Sequence, residues 1–451
     1  MQVEISNSLT LSMIPERLEN DLIERFTFIN PKYLENEKYN RWQGGTRKHL
    51  SFYERSNNTL ILPRGFARQL VSLCKKHAVP YQGEDSRRNL PPVDFHFTGQ
   101  LRPFQVEAVE AVAARNFGTL SAPTGSGKTI MALWLIAHRK QPTLIVVHTK
   151  ELLEQWVQRI ETFLGIPSVD VGVIGSGKRV LGSTITVALV QTLYKCADEV
   201  ARHIGHLIVD ECHRTPSRTF TEAVAAFDCK YMLGLSATPW RRDKLSRLIY
   251  WYLGEKVHEI EKADLIKTGD VLLAEVVVRE TDFEPWSDPS TEYTKMLSEL
   301  TEDRQRNLLI AQDVAQEARN GSAGICLVLS DRKVHCEELQ RVLTHLGVPS
   351  ELLTGDLSNR ERQRVVEDLN AGKVKVLVAT GQLIGEGFDC KELSTLFLAT
   401  PIKFDGRLVQ YLGRVLRPAP GKGRAVVYDY VDGRVGVLRA AFKVRSYVYG
   451  K

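Results

Sequence analysis

One stretch, residues 118–139, restricts the fold more than any other part of this 451-residue chain. It reads GTLSAPTGSGKTIMALWLIAHR, which is a short apolar segment, a glycine-rich loop and a segment with helical periodicity. A buried strand, a tight loop and a helix N-terminus bring together backbone N–H groups, the positive end of a helix dipole and a lysine, all of which suit a phosphate group. The sequence therefore predicts a phosphate-binding loop inside an α/β domain.

The tetrapeptide GSGK occurs a second time, at residues 175–178. Neither copy fits the strict pattern of Gly, four residues and then Gly-Lys-Ser/Thr. In the first copy only the leading glycine is replaced, by Ala122. In the second copy Lys178 is followed by Arg179, which offers no hydroxyl to a magnesium ion, and the next segment is the β-branched run TITVALV. We interpret the first copy as the triphosphate loop and the second as a hairpin turn.

The first copy supplies six candidate residues for binding a nucleoside triphosphate with Mg²⁺, and the hydroxyl of Thr129 is the candidate metal ligand within the loop. The six residues are Thr124, Gly125, Ser126, Gly127, Lys128 and Thr129.

Cysteine usage and hydropathy indicate the cellular compartment of such a chain. Seven cysteines are scattered without a C-x-x-C pair, which argues for a reducing compartment and against a zinc site or a disulfide framework. The N-terminus lacks a basic region followed by an apolar core, and no apolar run approaches membrane-spanning length. We expect a soluble protein of the cytosol with no membrane association.

Positive charge is concentrated near the N-terminus. Eleven Lys and Arg but three acidic residues lie between Lys38 and Arg88, an excess larger than the +6 of the whole chain. Aromatic residues alternate with these cations in YNRWQGGTRKHLSFYER. A basic surface with stacking groups suits a polyanion that carries bases, whereas the alternative is a solvated face around a small core.

Downstream of the phosphate loop, strand-like and helix-like segments alternate as in a parallel sheet. The strand-like HLIVDE leads into DECH, residues 210–213, about eighty residues after the loop lysine. Asp210 is suited to hold a magnesium ion through water, and Glu211 to orient and deprotonate an attacking water. The alternative is an ordinary solvated strand end.

These motifs form an ordered series. LRPFQ, APTGSGKT, VVHTKELLEQW, DECH, SATP, LLTGDLSNRER, ATGQLIGEGFDC and QYLGRVLRP follow one another between about residues 98 and 435. The series resembles that of superfamily 2 helicases and translocases. The resemblance implies an α/β fold with two tandem RecA-like domains, each a parallel sheet flanked by helices, and a small N-terminal α+β domain. The expected boundaries are 1–92, 93–262 and 263–451.

The resemblance also implies roles for residues of the nucleotide site, with ATP and Mg²⁺ as cofactors. Gln105, with Arg102 beside it, would read adenine, and the hydroxyls of Ser236 and Thr238 would link ATP state to the grip on nucleic acid. In QYLGRVLRP, Gln410, Arg414 and Arg417 share one helical face that could reach a γ-phosphate. The alternative interpretation of these three residues is that they belong to a basic helix on the protein surface. Two further residues resemble a ribose contact: Gly387 and Asp389.

Nucleic-acid contacts are expected at the motif residues that carry hydroxyl, amide or basic groups, because such contacts hold phosphates and sugars without reading sequence. These are Thr149, Lys150, Gln191, Thr192, Arg332, Thr354, Gly355 and Thr380. The candidates in the N-terminal domain are Trp42, Arg47, Lys48, His49, Arg64 and Arg68. Trp42 could equally be a core residue. The non-periodic NLPPVDFHFTGQ, residues 89–100, is interpreted as a linker.

The strings LRPFQ, HTKELL and QYLGRVLR look closer to XPB-like helicases, type III restriction motors and UvsW-type branch-migration helicases than to RNA-unwinding DEAD-box proteins. The resemblance therefore implies an ATP-dependent DNA helicase, active as a monomer in a bacterial or phage-infected cytosol, that remodels forks, Holliday junctions or R-loops. The alternatives are a double-strand translocase serving a nuclease partner, an RNA helicase, and a binding protein with a degenerate ATP site.

Overall fold

The computed structural model of the chain describes residues 1–56, 58–214, 218–237, 246–320, 324–385, 390, 392–402, 408, 411–413, 415–416, 418, 422 and 424–449. It divides into two compact units, Met1–Ala122 with Gly127–Ile260 and Pro123–Ser126 with Glu261–Lys451. Within the described ranges no helix has the length and apolar character needed to cross a membrane.

The N-terminal part of the first unit is a small mixed domain. Its strands are β1 (Gln2–Ile5), β2 (Ser8–Ser12), β3 (Thr27–Ile29), β4 (His49–Ser51), β5 (Glu54–Ser56), β6 (Thr59–Pro63) and β7 (Gln82–Asp85). Its helices are α1 (Glu16–Arg25), α2 (Pro31–Lys38) and α3 (Ala67–Lys76). The sheet order is β5-β6-β2-β1-β7, with β1 and β7 parallel and the other pairs antiparallel, while β3 and β4 form a separate ribbon. The predicted small α+β domain is confirmed.

Buried leucines at every second position of two neighbouring strands form the core of this domain. Leu9 and Leu11 of β2, and Leu60 and Leu62 of β6, are buried while the residues between them are half-buried. This period of two places the leucines on one face of the sheet. Helices α1 and α3 cover that face with buried residues: Leu18, Leu22, Leu70, Leu73 and Cys74.

An eight-stranded sheet forms the rest of the first unit. Its strands are β8 (Phe117–Ser121), β9 (Thr143–Val147), β10 (Gly172–Gly175), β11 (Lys178–Val180), β12 (Ile185–Leu189), β13 (His206–Val209), β14 (Tyr231–Ser236) and β15 (Lys256–Glu259). Its helices are α4 (Pro103–Ala113), α5 (Lys128–Arg139), α6 (Lys150–Leu164), α7 (Val190–Leu193), α8 (Ala197–Ala201), α9 (Arg218–Ala225) and α10 (Ser246–Leu253).

The order of this sheet is β11-β10-β12-β9-β13-β14-β8-β15, and every pair except β10 with β11 is parallel. All residues of the central strands β9 and β13 are buried, as expected where helices cover both faces of a parallel sheet. The carboxyl ends of the parallel strands consequently lie along one edge of the sheet.

The second GSGK is the hairpin turn that joins β10 to β11. Gly175 pairs with Lys178, and the two residues between them, Ser176 and Gly177, have φ of 52° and 82°. Left-handed backbone at both central positions matches the twist of a two-residue hairpin. No helix follows this turn, because β11 does, and the predicted hairpin is confirmed.

The small domain and the eight-stranded sheet share a core. The side chain of Trp251, in α10, packs against Phe26 and Phe28 with ring centroids 4.3 and 6.2 Å away. A Cβ added to Gly65 would clash with the backbone around residues 250–254, so the chain passes α10 at a distance that only glycine permits. Glycine at this position allows the close approach of the two backbones.

The expected linker, residues 89–100, contains no helix or strand. It is nonetheless held on the eight-stranded sheet domain. The backbone N–H of Leu90 donates to Gln141 Oε1 at 2.8 Å, and that of Val93 donates to the carbonyl of Lys140 at 2.9 Å. Just before it, Arg88 forms a two-pronged ion pair with Asp228, at 2.9 and 2.8 Å.

The second unit repeats the α/β architecture. Its strands are β16 (Ala274–Glu280), β17 (Ile325–Ser330), β18 (Ser350–Leu353), β19 (Val376–Thr380), β20 (Leu393–Leu398) and β21 (Ala425–Val431). Its helices are α11 (Lys262–Lys267), α12 (Tyr293–Glu302), α13 (Arg304–Arg319), α14 (Lys333–His345), α15 (Asn359–Asn370), α16 (Gly381–Gly385) and α17 (Gly436–Tyr449). The strand order is β16-β21-β20-β17-β19-β18, and all of these pairs are parallel. The predicted second parallel sheet is confirmed.

Candidate functional site

The phosphate loop lies between the end of β8 and the start of α5, as the sequence predicts. Gly125 and Gly127 have φ of 92° and 83°, values that favour glycine. The loop is closed by Lys128, whose ammonium donates to the carbonyl of Ala122 at 3.1 Å. Ser126 is buried, and its hydroxyl donates to the carbonyl of Pro123 at 2.7 Å.

The alanine that replaces the leading glycine of the pattern fits this loop. Ala122 is fully buried, and its N–H donates to the carbonyl of Ser236 on the neighbouring strand at 2.9 Å. It is not among the described residues with positive φ. Because the backbone at this position requires no left-handed conformation, a methyl group is tolerated there.

Gln105 lies against the phosphate loop. It is the third residue of α4 and is buried, and its Oε1 accepts a hydrogen bond from the backbone N–H of Arg102 at 2.9 Å. Its Nε2 lies so close to Gly127 that a Cβ at that glycine would collide with the amide. The structure thus brings Gln105 to the loop, while the Arg102 side chain is exposed. Their role in reading adenine stays a prediction.

The first acid of DECH follows β13 directly. Asp210 is 6% exposed, and its Oδ2 accepts a hydrogen bond from the indole N–H of Trp156 in α6 at 2.8 Å. Burial, and then the negative charge of Glu211, raise the pKa of Asp210 to about 6, whereas the Trp156 hydrogen bond and Lys128 act to lower it. Sequence analysis assigns no role to Trp156, although this residue ends the motif string HTKELLEQW.

The second acid is held in a strained conformation. Glu211 has a φ of 48°, unusual for a residue with a side chain, and its N–H donates to Asp210 Oδ1 at 2.9 Å. His213 Nδ1 lies 3.2 Å from Glu211 Oε2 and 3.0 Å from the hydroxyl of Ser236. His213, to which sequence analysis also assigns no role, therefore contacts both the acid pair and the end of β14.

The donor set of this site fits a hydrated magnesium ion and a triphosphate. Asp210 and Glu211 are adjacent hard oxygen donors, and a nearby dication would favour their ionised forms despite the burial. The buried hydroxyl of Thr124 has no hydrogen-bond partner within the described part of the chain, which suits a loop that wraps a ligand. The residues that would hold the ion are Thr129 and Asp210.

The structure brings together four of the expected nucleic-acid contacts. Thr149 and Lys150 follow β9, where the Thr149 hydroxyl accepts from Leu152 N at 3.3 Å and caps α6. Gln191 and Thr192 follow the adjacent parallel strand β12. The amide of Gln191 donates to the carbonyl of His148 at 3.3 Å. These residues thus lie on the same sheet edge as the acid pair.

In the second unit, the expected contacts also follow neighbouring parallel strands. Arg332 follows β17 and donates to the carbonyl of Thr294 at 2.9 Å, and Thr380 ends β19. After β18, Gly355 is exposed but Thr354 is 2% exposed. This burial corrects the expectation for Thr354, because its side chain presents almost no surface to a strand.

The N-terminal candidates divide into exposed and buried residues. Trp42 is 87% exposed, which excludes the alternative that it is a core residue. Arg47, Lys48, His49 and Arg68 are also exposed.

Arg64 is 2% exposed, and its guanidinium donates to the carbonyls of Ser6 at 3.0 Å and Cys229 at 2.7 Å. The prediction that Arg64 contacts nucleic acid is therefore wrong, because the side chain fastens the small domain to the eight-stranded sheet.

Six expectations fall on residues outside the described ranges, so they stay sequence-based. They are Thr238, Gly387, Asp389, Gln410, Arg414 and Arg417.

Two protein families match the chain. The family "Type III restriction enzyme, res subunit" matches residues 98–241, and "Helicase conserved C-terminal domain" matches residues 304–419. These ranges contain the phosphate loop, the acid pair and most of the second parallel sheet. The fold and the site define an ATP-hydrolysing motor with two RecA-like domains. Together the two matches support a helicase of superfamily 2. The chain is an ATP-dependent helicase or translocase, which sets aside the alternative of a binding protein with a degenerate ATP site.

Relatives extend over much of the chain. "Probable helicase D10" of Escherichia phage T5 is 27% identical over 330 residues, 73% of this chain and 71% of that protein. "DNA 3'-5' translocase XPB2" of Sulfurisphaera tokodaii is 40% identical over 144 residues, 32% of each protein. The solved structure of S. cerevisiae Dbp5 bound to RNA and ADP BeF3 covers 78% of this chain and 88% of its own, with a TM-score of 0.56 at 14% identity. That likeness shows the fold alone.

Proposed function

We propose that this protein is a DNA motor that remodels branched DNA, such as forks and four-way junctions, without reading sequence. One observation carries the proposal. In the order β12-β9-β13-β14-β8, the ends of β8 and β13 carry the proposed hydrolysis residues, and the end of β14 carries Ser236 of the expected link. The ends of β9 and β12 carry the expected strand contacts. The residues proposed for hydrolysis and those proposed to contact the strand therefore lie along one edge of one sheet.

The chain's own residues divide the work of hydrolysis. The loop N–H groups and Lys128 bind the phosphates, and Gln105 reads the base of ATP. Glu211 orients the attacking water and accepts its proton. When bound by Thr129 and Asp210, Mg²⁺ would neutralise charge on the phosphate oxygens. Gln410, Arg414 and Arg417 are proposed to stabilise the transferring phosphoryl group.

His213 is proposed to transmit the state of the site. It lies between the Glu211 carboxylate and the Ser236 hydroxyl. A movement of Glu211 on hydrolysis would therefore change the contact between His213 and Ser236 at the end of β14. Ser236 begins the SATP string, the expected link between ATP state and grip. Coupling requires an element with two arrangements, and a hydrogen-bonded histidine between two motifs can adopt two sets of partners.

One observation supports a nucleic acid of either kind, and a second supports DNA. The small domain is basic and exposes Arg47, Lys48 and Arg68, which suits a polyanion. The relative from Sulfurisphaera tokodaii carries the words DNA 3'-5' translocase in its name. We propose that the protein acts as a monomer, since each motor domain has its own complete sheet.

A second candidate is a duplex translocase that serves a nuclease partner. It is favoured by the match of residues 98–241 to a family described as a restriction enzyme subunit. Such a motor would hydrolyse ATP on duplex DNA but separate few strands.

The test is ATP hydrolysis with single-stranded DNA, blunt duplex, fork, four-way junction and RNA, each paired with a strand-separation assay. We expect the strongest stimulation on forks and junctions. Glu211→Gln should reduce turnover by about 10²- to 10⁴-fold because the base is lost. The matched control is Glu199→Gln, whose carboxylate is 71% exposed and pairs with Arg179.

The outcomes separate the candidates. Duplex stimulation without strand separation would favour the translocase. Stimulation by RNA alone would exclude DNA as the polymer, and equal turnover in Glu211→Gln and Glu199→Gln would remove Glu211 from the mechanism.

A further inference from the structure

The segment between α2 and β4, residues 39–48, is called here the aromatic loop. It is ordered by hydrogen bonds at both ends. The side chain of Asn30 donates to the carbonyl of Arg47 at 3.0 Å, and the amide of Gln43 donates to the carbonyl of Tyr33 at 3.0 Å. These two hydrogen bonds attach the loop to α2 and to Asn30, which caps that helix.

This ordered loop holds large rings in solvent. Trp42 is 87% exposed and Tyr39 is 57% exposed. The indole of Trp42 lies so close to Gly44 that a Cβ at residue 44 would collide with the ring. A single exposed ring needs no explanation, but two rings presented on one fixed loop, one seated on a glycine, indicate a binding surface.

Cations lie beside Tyr39 and beside Tyr33 of α2, which precedes the loop. The Lys38 ammonium lies 5.5 Å and the Arg41 guanidinium 5.2 Å from the centroid of Tyr39. The Lys48 ammonium lies 6.0 Å from the centroid of Tyr33. Arg41 lies 3.6 Å from Glu35, and both side chains are more than half exposed, so this pair is weak. The loop thus offers flat apolar faces and positive charge together.

We propose that the aromatic loop binds a single nucleic-acid strand, with an unpaired base stacked on Trp42 and the flanking phosphates held by Arg41, Arg47 and Lys48. The proposal rests on the proposed function and adds that the small domain selects unpaired strand. In a duplex the faces of the bases are covered by their neighbours, whereas a single strand can offer a face to an aromatic ring. Cations alone would serve a duplex equally well, so the exposed rings decide between the two.

The test measures binding of full-length protein, without nucleotide, to three probes. The probes are a DNA strand of about 15 nucleotides, the same strand with consecutive abasic sites in its centre, and a blunt duplex of equal length. The abasic strand keeps the phosphates but lacks the bases on which an aromatic ring could stack. Trp42→Ala should weaken binding of the normal strand by about 5- to 150-fold, the range for one stacked base, and leave the other two probes unchanged.

Two further variants separate stacking from loss of folding. Trp42→Phe should retain most of the binding because it keeps a flat ring. Gly44→Ala should reproduce Trp42→Ala, since its methyl group displaces the indole and residue 44 has no left-handed φ that would strain alanine. The matched control is Trp286→Ala, which removes a tryptophan that is 97% exposed elsewhere in the chain. It should not change binding of any probe.

The outcomes also separate this inference from the proposed function. If Trp42→Ala lowers binding of normal, abasic and duplex probes equally, or of none, the loop does not stack on a base and the inference is overturned. Stimulation of ATP hydrolysis by the normal strand is measured in parallel. If no nucleic acid stimulates the unaltered protein, the proposed function fails, whatever the loop binds.

Discussion

Asp210 and Asp432 both lie at the carboxyl end of an inner strand, one in each of the two large sheets, yet their partners differ. Each follows an inner strand directly, β13 and β21, and each is buried, at 6% and 1% exposed. Burial, and then the negative charge of the adjacent Glu211, raise the pKa of Asp210 to about 6, although the hydrogen bond from the Trp156 indole acts to lower it. Asp432 accepts from Arg306 Nε at 2.8 Å and from the hydroxyl of Thr281 at 2.6 Å.

The second sheet repeats this neutralisation along α13. Asp313 accepts from the hydroxyl of Tyr430 at 3.0 Å and forms an ion pair with Arg279. One turn later, Glu317 accepts from Tyr428 at 3.0 Å and pairs with Arg424.

A buried carboxylate is tolerated when hydrogen-bond donors and a cation satisfy it. Removing either member of such a buried ion pair destabilises the fold, because the other charge is left without a partner. The first sheet instead keeps two acids together and holds Glu211 in a strained conformation, which is typical of a reacting site. The same architecture therefore carries an acid pair at the end of β13 and a buried ion pair at the end of β21.

The largest effect is expected at the lysine of the phosphate loop. Lys128→Ala should lower ATP turnover by at least about 100-fold, because a charge that stabilises the phosphates is removed. Lys178→Ala changes the lysine of the second GSGK, which lies in a hairpin, and should leave turnover unchanged. Steady-state hydrolysis and nucleotide binding measure both variants. A loss of turnover in Lys178→Ala would mean that the hairpin takes part in the site.

The next effect concerns the neutralised aspartate. Asp432→Ala should lower the unfolding free energy by about 3–5 kcal/mol, because the guanidinium of Arg306 is left buried without its partner. Urea unfolding followed by fluorescence measures the change. Replacing both residues, Arg306→Met with Asp432→Leu, should recover much of it.

The matched control for this aspartate is Asp282→Ala, which removes an exposed partner of Arg434 and should change stability little. Equal effects of Asp432→Ala and Asp282→Ala would show that burial of the pair has no energetic weight.

The smallest effect is a dependence on pH in the second sheet. His335 is buried between Ser330 and Asn307, and burial, with the charges of Arg306 and Arg332, lowers its pKa to about 3. The stability that the neutral ring contributes is fully present above the ordinary pKa near 6.5. It is lost progressively as the pH falls from that value through the folded pKa of about 3, because the unfolded chain binds the proton first. At pH 5 the loss should be about 2 kcal/mol.

Thermal unfolding at pH 8 and pH 5 measures this loss. His335→Gln should remove that part of the pH dependence, whereas His345→Gln, on the exposed end of the same helix, should retain it. An unchanged dependence in His335→Gln would assign the acid sensitivity to other groups.

Much of the fold and of the ATP site could be predicted because their signals are local. The phosphate loop, the acid pair and the alternation of strand and helix depend on residues close together in sequence. Trp156, His213 and Arg64 were missed or misjudged because their roles depend on partners far along the chain. The Trp156 indole reaches Asp210, and the Arg64 guanidinium reaches the carbonyl of Cys229. Neither contact leaves a spacing pattern.

The sequence by itself determined that this chain contains two parallel α/β sheets, one of them with a phosphate loop, since hydrophobic period and glycine position act within a few residues. Only the tertiary structure decided which side chains of the basic region are exposed to a ligand. Arg64 and Trp42 lie in the same basic region, yet one is 2% and the other 87% exposed. Exposure depends on which distant segments pack over a side chain, and burial of an ion requires partners that the fold alone supplies.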